Sequence, residues 1–184
     1  MQYQAVVFDM DGVIFDTERL VIEFWKEVAK KHNIPNVEHT CIQCLGTNRV
    51  RTREIFLENY GADFPFDPYR AEVTELFNTH YKGVPLPTKP GVRELLSYLQ
   101  EQDIKVGLAS STAQHLVRDE IGTAGLLPYF QTLVCGDMVE HSKPAPDIFL
   151  KACEILNADP TKSIAIEDSF NGIRSAHCAG MTPI

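Results

Sequence analysis

Four short apolar runs punctuate the chain, at residues 3–8, 104–109, 132–135 and 163–166, each bounded by turn or charged residues. Continuous apolar runs of this length are expected of strands covered on both faces. Between them the apolar positions change period. Val92, Leu95, Leu96 and Leu99 make one helical stripe, and Ile148, Phe149, Ala152, Ile155 and Leu156 make another. Strands alternating with helices predict an α/β fold whose core is a doubly wound parallel sheet.

The stretch between the first and second runs is too long for a single crossover. It reads as several amphipathic helices, with Leu20, Phe24, Val28 and Ala29 on the first and Val73, Leu76, Phe77 and Tyr81 on the last. Trp25 falls within the apolar pattern of the first helix and is expected in its core. Residues 83–91, with three prolines and two glycines, cannot continue a helix and read as a return linker. The predicted organisation is an α/β core of residues 1–16 and 88–184 carrying an inserted all-helical cap at 17–87, linker included. Hinges that flank the first strand end would let such an insertion act as a lid.

Composition narrows the partners. A chain of 184 residues at 44% hydrophobic can bury a full core without a disulfide or metal staple. Net charge is −8, from 17 basic against 25 acidic residues, with no basic block, so nucleic acid and anionic membrane are poor partners. No apolar stretch approaches the roughly 20 residues of a membrane span, and a cytoplasmic location is the expectation. Five scattered cysteines fit reduced thiols. Cys41-Ile42-Gln43-Cys44, with His39 just ahead, lacks a second ligand pair at zinc spacing and is expected to be two small, half-buried side chains.

Open α/β sheets bind ligands beyond the carboxyl ends of their strands, so the residues after each run carry the candidate chemistry. The first run delivers Asp9-Met10-Asp11-Gly12, two carboxylates able to converge on one substrate atom or cation, or else an acidic turn. After the second come Ser110-Ser111-Thr112 at a helix start, either an anion site of hydroxyls and backbone amides or an ordinary N-cap. Beyond the third, Lys143 is confined by Pro144 and could bring an ammonium to the same crevice, although a lone lysine is usually solvated. The fourth ends in Glu167-Asp168-Ser169, clustered acids suited to a divalent metal or to helix capping.

In this order the strand ends resemble the haloacid dehalogenase-like phosphohydrolases. The residues that carry the likeness are Asp9 to Thr17 (D-x-D-G-V-x-x-D-T), Ser110, Ser142-Lys143-Pro144-Ala145-Pro146, and Glu167-Asp168-Ser169 leading to Gly172-Ile173. They cover essentially the whole chain and resemble most the branch with a helical cap, which includes β-phosphoglucomutases and small-molecule phosphatases. The family usually continues with a further strand and helix beyond the strand that begins at Met181.

The resemblance implies a Mg²⁺-dependent enzyme acting on a small phosphorylated metabolite, a sugar phosphate or nucleotide. Asp9 would be the nucleophile that forms an aspartyl-phosphate. Asp11 would be the acid and base. Ser110, Ser111 and Lys143 would hold phosphoryl oxygens. Mg²⁺ would be bound by Asp9, Asp168, the Asp11 carbonyl and, through water, Glu167. Founding dehalogenases need neither Mg²⁺ nor a second acid, so Asp11 with Glu167-Asp168 favours phosphorus over carbon-halogen chemistry. The alternative is a β-phosphoglucomutase. Thr17 and Leu45-Gly46-Thr47-Asn48-Arg49 resemble that pattern, with Arg49 either a clamp for a distal phosphate or part of an exposed face with Arg51 and Arg53. The chain departs from it at Leu20-Val21, where those mutases have His, and near Phe77, where they have Lys, although Lys82 is close by. A non-catalytic phospholigand-binding regulator is the reading from another class, and the intact set of Asp9, Asp11, Ser110, Lys143 and Asp168 argues against it.

Overall fold

The computed structural model describes residues 3–44 and 49–184. The chain divides into two compact units, Met1–Asp16 with Pro85–Ile184, and Thr17–Val84.

The first unit is built on a five-stranded, wholly parallel sheet in the order β3-β2-β1-β4-β5. Its strands are β1 (Ala5–Phe8), β2 (Lys105–Ser110), β3 (Thr132–Cys135), β4 (Ser163–Ile166) and β5 (Thr182–Pro183). Order reverses at β1, which pairs with β2 on one side and β4 on the other. Phe8 lies level with both Leu108 and Ile166, so three strands deliver their next residues at one height. That is the switch point at which such sheets bind ligands. All four residues of β1 are buried, which explains why its sequence is a continuous apolar run rather than an alternating one. The strand starts at Ala5, not at residue 3. Tyr3 is 39% exposed and lies outside the ladder.

Helices of this unit are α5 (Val92–Glu101), α6 (Gln114–Thr123), α7 (Asp147–Leu156) and α8 (Phe170–Cys178). Ile148, Phe149, Ala152 and Leu156 of α7 join Val7, Ala109, Val134 and Ala165 in one core cluster. Two expected core residues face outward: Leu95 is 38% exposed and Ile155 49%. Each sits at the margin of its apolar stripe, and the sheet covers only the stripe's centre.

The second unit holds α1 (Thr17–His32), α2 (Val37–Gln43), α3 (Arg49–Tyr60) and α4 (Phe66–Tyr81). Trp25 is 3% exposed and anchors its core, with ring centroids 4.5 Å from Phe56 and 5.9 Å from Phe66. Burying rings of this size is worth about 2–3 kcal/mol each. Phe24 is only half-buried and packs with Phe77 and Tyr81. Glu72 of α4 binds both Lys31 (2.8 Å) and His32 (2.9 Å), tying the end of α1 to α4. Among the described residues, no helix is long and apolar enough to cross a membrane.

Candidate active site

Asp9 follows β1 directly, its amide donating to the Ile166 carbonyl at 2.9 Å. The chain then turns tightly, with Ile14 and Phe15 amides both donating to the Met10 carbonyl and the Gly12 amide to the Phe15 carbonyl. Gly12 has φ +77°, and a Cβ there would collide with the Asp168 carboxylate. Only glycine satisfies both demands. The turn therefore brings the β1 and β4 ends together.

Lys143 closes the centre from the third strand's side. Its ammonium lies 2.6 Å from Asp9 Oδ1, 2.5 Å from Glu167 Oε1 and 2.8 Å from the Ala109 carbonyl, and 5.0 Å above the Phe149 ring. The group is deeply buried: side-chain exposure is 6% for Lys143, 11% for Asp9 and 1% for Glu167. Burial pushes the Asp9 carboxyl up to about 7, the Lys143 charge opposing and the Glu167 charge reinforcing that rise. For Lys143, burial works against the charged form, but the carboxylates of Asp9 and Glu167 outweigh it and hold the ammonium above the usual lysine range. One cation is thus shared by two acids, a net negative pocket.

Asp9, Glu167 and Asp168 each offer a carboxylate oxygen, all within 4.8 Å of one another. Such a hard-oxygen donor set suits Mg²⁺, and the absence of a Cβ at Gly12 leaves the Asp168 carboxylate its place in it.

Ser110 and Thr112 are arranged differently from an N-cap. Ser110 is 1% exposed and its Oγ accepts from the Thr112 amide at 3.1 Å. The Thr112 hydroxyl donates to Asp11 Oδ2 at 3.2 Å, whereas Ser111 is exposed. Helix α6 starts later, at Gln114, and its first amide donates to the Asp137 carboxylate at 3.1 and 3.3 Å. Asp137 follows the third strand, so the helix end expected to offer amides to an anion already holds a carboxylate at Gln114. Neither the role of Asp137 nor that of the Thr112 hydroxyl is legible in the sequence, because neither partner is local in the chain. Glu120 of α6 likewise belongs to no motif in the sequence: burial pushes its carboxyl up to about 7, aided by the charges of Asp11 and Asp119.

Thr17 and Arg49 belong to the helical unit. Thr17 is 8% exposed at the start of α1. Arg49 is exposed and pairs with Asp67 at 3.2 Å, which also accepts from Arg53 at 3.3 Å. Arg49 lines an open cavity of about 850 Å³ with Arg70, Thr74, Asn78 and Lys82. Leu45-Gly46-Thr47-Asn48 lie outside the described residues. Cys41 is buried and Cys44 half-buried, with burial pushing their thiols up to about 12 and about 11.

A family model described as haloacid dehalogenase-like hydrolase matches residues 6–184. The chain belongs to that family. A phosphorylated carbohydrates phosphatase of Thermotoga maritima is 34% identical over 98% of this chain and 83% of the relative. The β-phosphoglucomutase of Bacillus subtilis is also 34% identical, over 97% of this chain and 80% of the relative. A solved structure from Thermotoga maritima superposes with TM-score 0.76 at 34% identity, over 98% of this chain and 82% of that one. This haloacid dehalogenase-like hydrolase is of the phosphatase type, and its α/β core with a helical insertion between β1 and β2 is the architecture of its family.

Proposed function

We propose that this haloacid dehalogenase-like hydrolase cleaves a small phosphomonoester, a phosphorylated sugar first among the candidates, through an aspartyl-phosphate at Asp9. The observation that carries the reading is the Asp9 carboxylate at the end of the central strand, 2.6 Å from Lys143 and within 4.8 Å of the Glu167 and Asp168 oxygens. An Asp9 oxygen attacks phosphorus as the bond from phosphorus to the sugar oxygen breaks. Asp11 gives its proton to the departing alkoxide. Asp11 then takes a proton from the water that attacks the aspartyl-phosphate, releasing inorganic phosphate and restoring Asp9.

Lys143 keeps its charge in this pocket and neutralises phosphoryl oxygens together with the Ser110 and Ser111 groups. Asp9, Asp168, the Asp11 carbonyl and Glu167 would hold Mg²⁺, which supplies the remaining positive charge that phosphoryl transfer requires. A bound dication also favours the ionised form of Asp9, offsetting the burial that pushes its carboxyl to about 7. The sugar-phosphate choice is supported by the name of the Thermotoga maritima relative.

Phosphate release from a panel of sugar phosphates and nucleotides, with and without Mg²⁺, tests this reading. Release that requires Mg²⁺ and is abolished by Asp9→Asn is expected; release unaffected by that substitution would refute it. Similarity to the Bacillus subtilis enzyme favours a second reading, transfer of the phosphoryl group between positions of one sugar. Formation of glucose 6-phosphate from β-glucose 1-phosphate would establish it.

A further inference from the structure

Glu167 is enclosed, and both of its oxygens have donors. Oε1 accepts from Lys143, while Oε2 accepts from the Ser169 amide at 3.2 Å and the Ser169 hydroxyl at 2.9 Å. The Ser169 hydroxyl has one proton, and an ionised carboxylate can only accept. Its direction is therefore fixed: it donates to Glu167 and accepts from the Gly172 amide at 3.0 Å, capping α8. Gly172 presses directly on the Glu167 carboxylate, leaving no room for a Cβ. A continuous run of contacts thus leads from the first turn of α8 through Ser169, Glu167 and Lys143 to Asp9.

We infer that Ser169 is a positioning residue for the reaction, fixing Glu167 so that it holds Lys143 against Asp9; this rests on the roles proposed above for Asp9 and Lys143. Both Glu167 and Lys143 have long, rotatable stems, and burial alone does not select one rotamer of either. Beside the Ser169 amide and the close packing of Gly172, the Ser169 hydroxyl adds a constraint on the Glu167 carboxylate that is itself anchored to the first turn of a helix. A helix cap alone would need only an acceptor at this position. The donated bond to Glu167 is what the second task adds.

The two tasks separate by substitution. Glycine is a tolerated N-cap that lacks the hydroxyl, alanine removes both cap and donor, and threonine keeps both. With p-nitrophenyl phosphate and Mg²⁺, Ser169→Gly and Ser169→Ala should lower kcat about tenfold or more, the worth of one hydrogen bond to a charged group, with KM changed less than about threefold. Ser169→Thr should restore kcat to within about threefold, and Ser169→Gly should melt close to the parent. In the Glu167→Ala background, where no acceptor remains for the Ser169 hydroxyl, Ser169→Ala should cause no comparable further loss. Parent-like kcat in Ser169→Gly, or an undiminished effect of Ser169→Ala in the Glu167→Ala background, would overturn the inference while leaving an inactive Asp9→Asn to uphold the nucleophile. Activity that survives Asp9→Asn would overturn both.

Discussion

The Lys143 ammonium lies 2.6 Å from Asp9 Oδ1, in a pocket that leaves the lysine side chain 6% exposed. A buried ion pair of this kind adds little net stability, but removing one partner strands the other. Lys143→Met should therefore destabilise the protein by about 3 kcal/mol at pH 8, because Asp9 and Glu167 are left without their common cation. The loss should shrink as pH falls through about 7, where Asp9, its carboxyl pushed up by burial, takes up a proton. Urea denaturation of parent and variant at pH 5.5 and pH 8 measures both effects. An equal loss at the two pH values would contradict the assignment.

Glu120 gives a stability effect of known sign. Burial, then the charges of Asp11 and Asp119, raise its carboxyl to about 7 in the folded protein, above the roughly 4.3 of an unperturbed glutamate. Ionisation is thus costlier folded than unfolded, so its contribution declines as pH rises from about 4 to about 7 and is constant beyond. Glu120→Gln should stabilise the protein at pH 8 by on the order of 1 kcal/mol, since solvent still screens part of the group, and should give no gain at pH 4. Thermal melts at the two pH values check it.

Gly12 joins a backbone requirement to a site requirement. Its φ of +77° strains any other residue, and a Cβ would displace the Asp168 carboxylate. Gly12→Ala should cost about 1–2 kcal/mol of stability and lower activity by more than that loss of folded protein explains. The check is kcat per folded molecule together with the Mg²⁺ concentration for half-maximal activity, which should rise.

The thiols of the Cys41-Ile42-Gln43-Cys44 stretch should be inert. Burial pushes them up to about 12 and about 11, so almost no thiolate exists at pH 7.5, whereas Cys178 is exposed. Iodoacetamide at that pH should label Cys178 first and leave Cys41 unmodified in the folded protein. Peptide mapping by mass spectrometry shows the order.

What could be read from the chain follows from how local each signal is. Strand ends are local: an apolar run followed by Asp9-Met10-Asp11-Gly12 or by Glu167-Asp168 names residues that sheet register then brings together. Cross-chain partners are not. Asp137 on the first amide of α6 and the Thr112 hydroxyl on Asp11 each depend on where another element lands, as does the sharing of Lys143, itself a candidate from its place after the third run, between Asp9 and Glu167. Apolar periodicity placed α5 and α7, yet could not tell the covered centre of a stripe from its exposed margin at Leu95 and Ile155. Arg49 shows the same limit for charge: its pairing with Asp67 joins α3 to α4 across eighteen positions.

In the proposed reaction Asp9 carries the phosphoryl group. Brief incubation of the enzyme with a turned-over sugar phosphate and Mg²⁺, acid quenching and peptide mass spectrometry should find one added phosphoryl group on the peptide containing Asp9, lost on treatment with hydroxylamine and absent from Asp9→Asn. Phosphate release by Asp9→Asn at the parent rate, with no hydroxylamine-labile adduct on the parent, would contradict it.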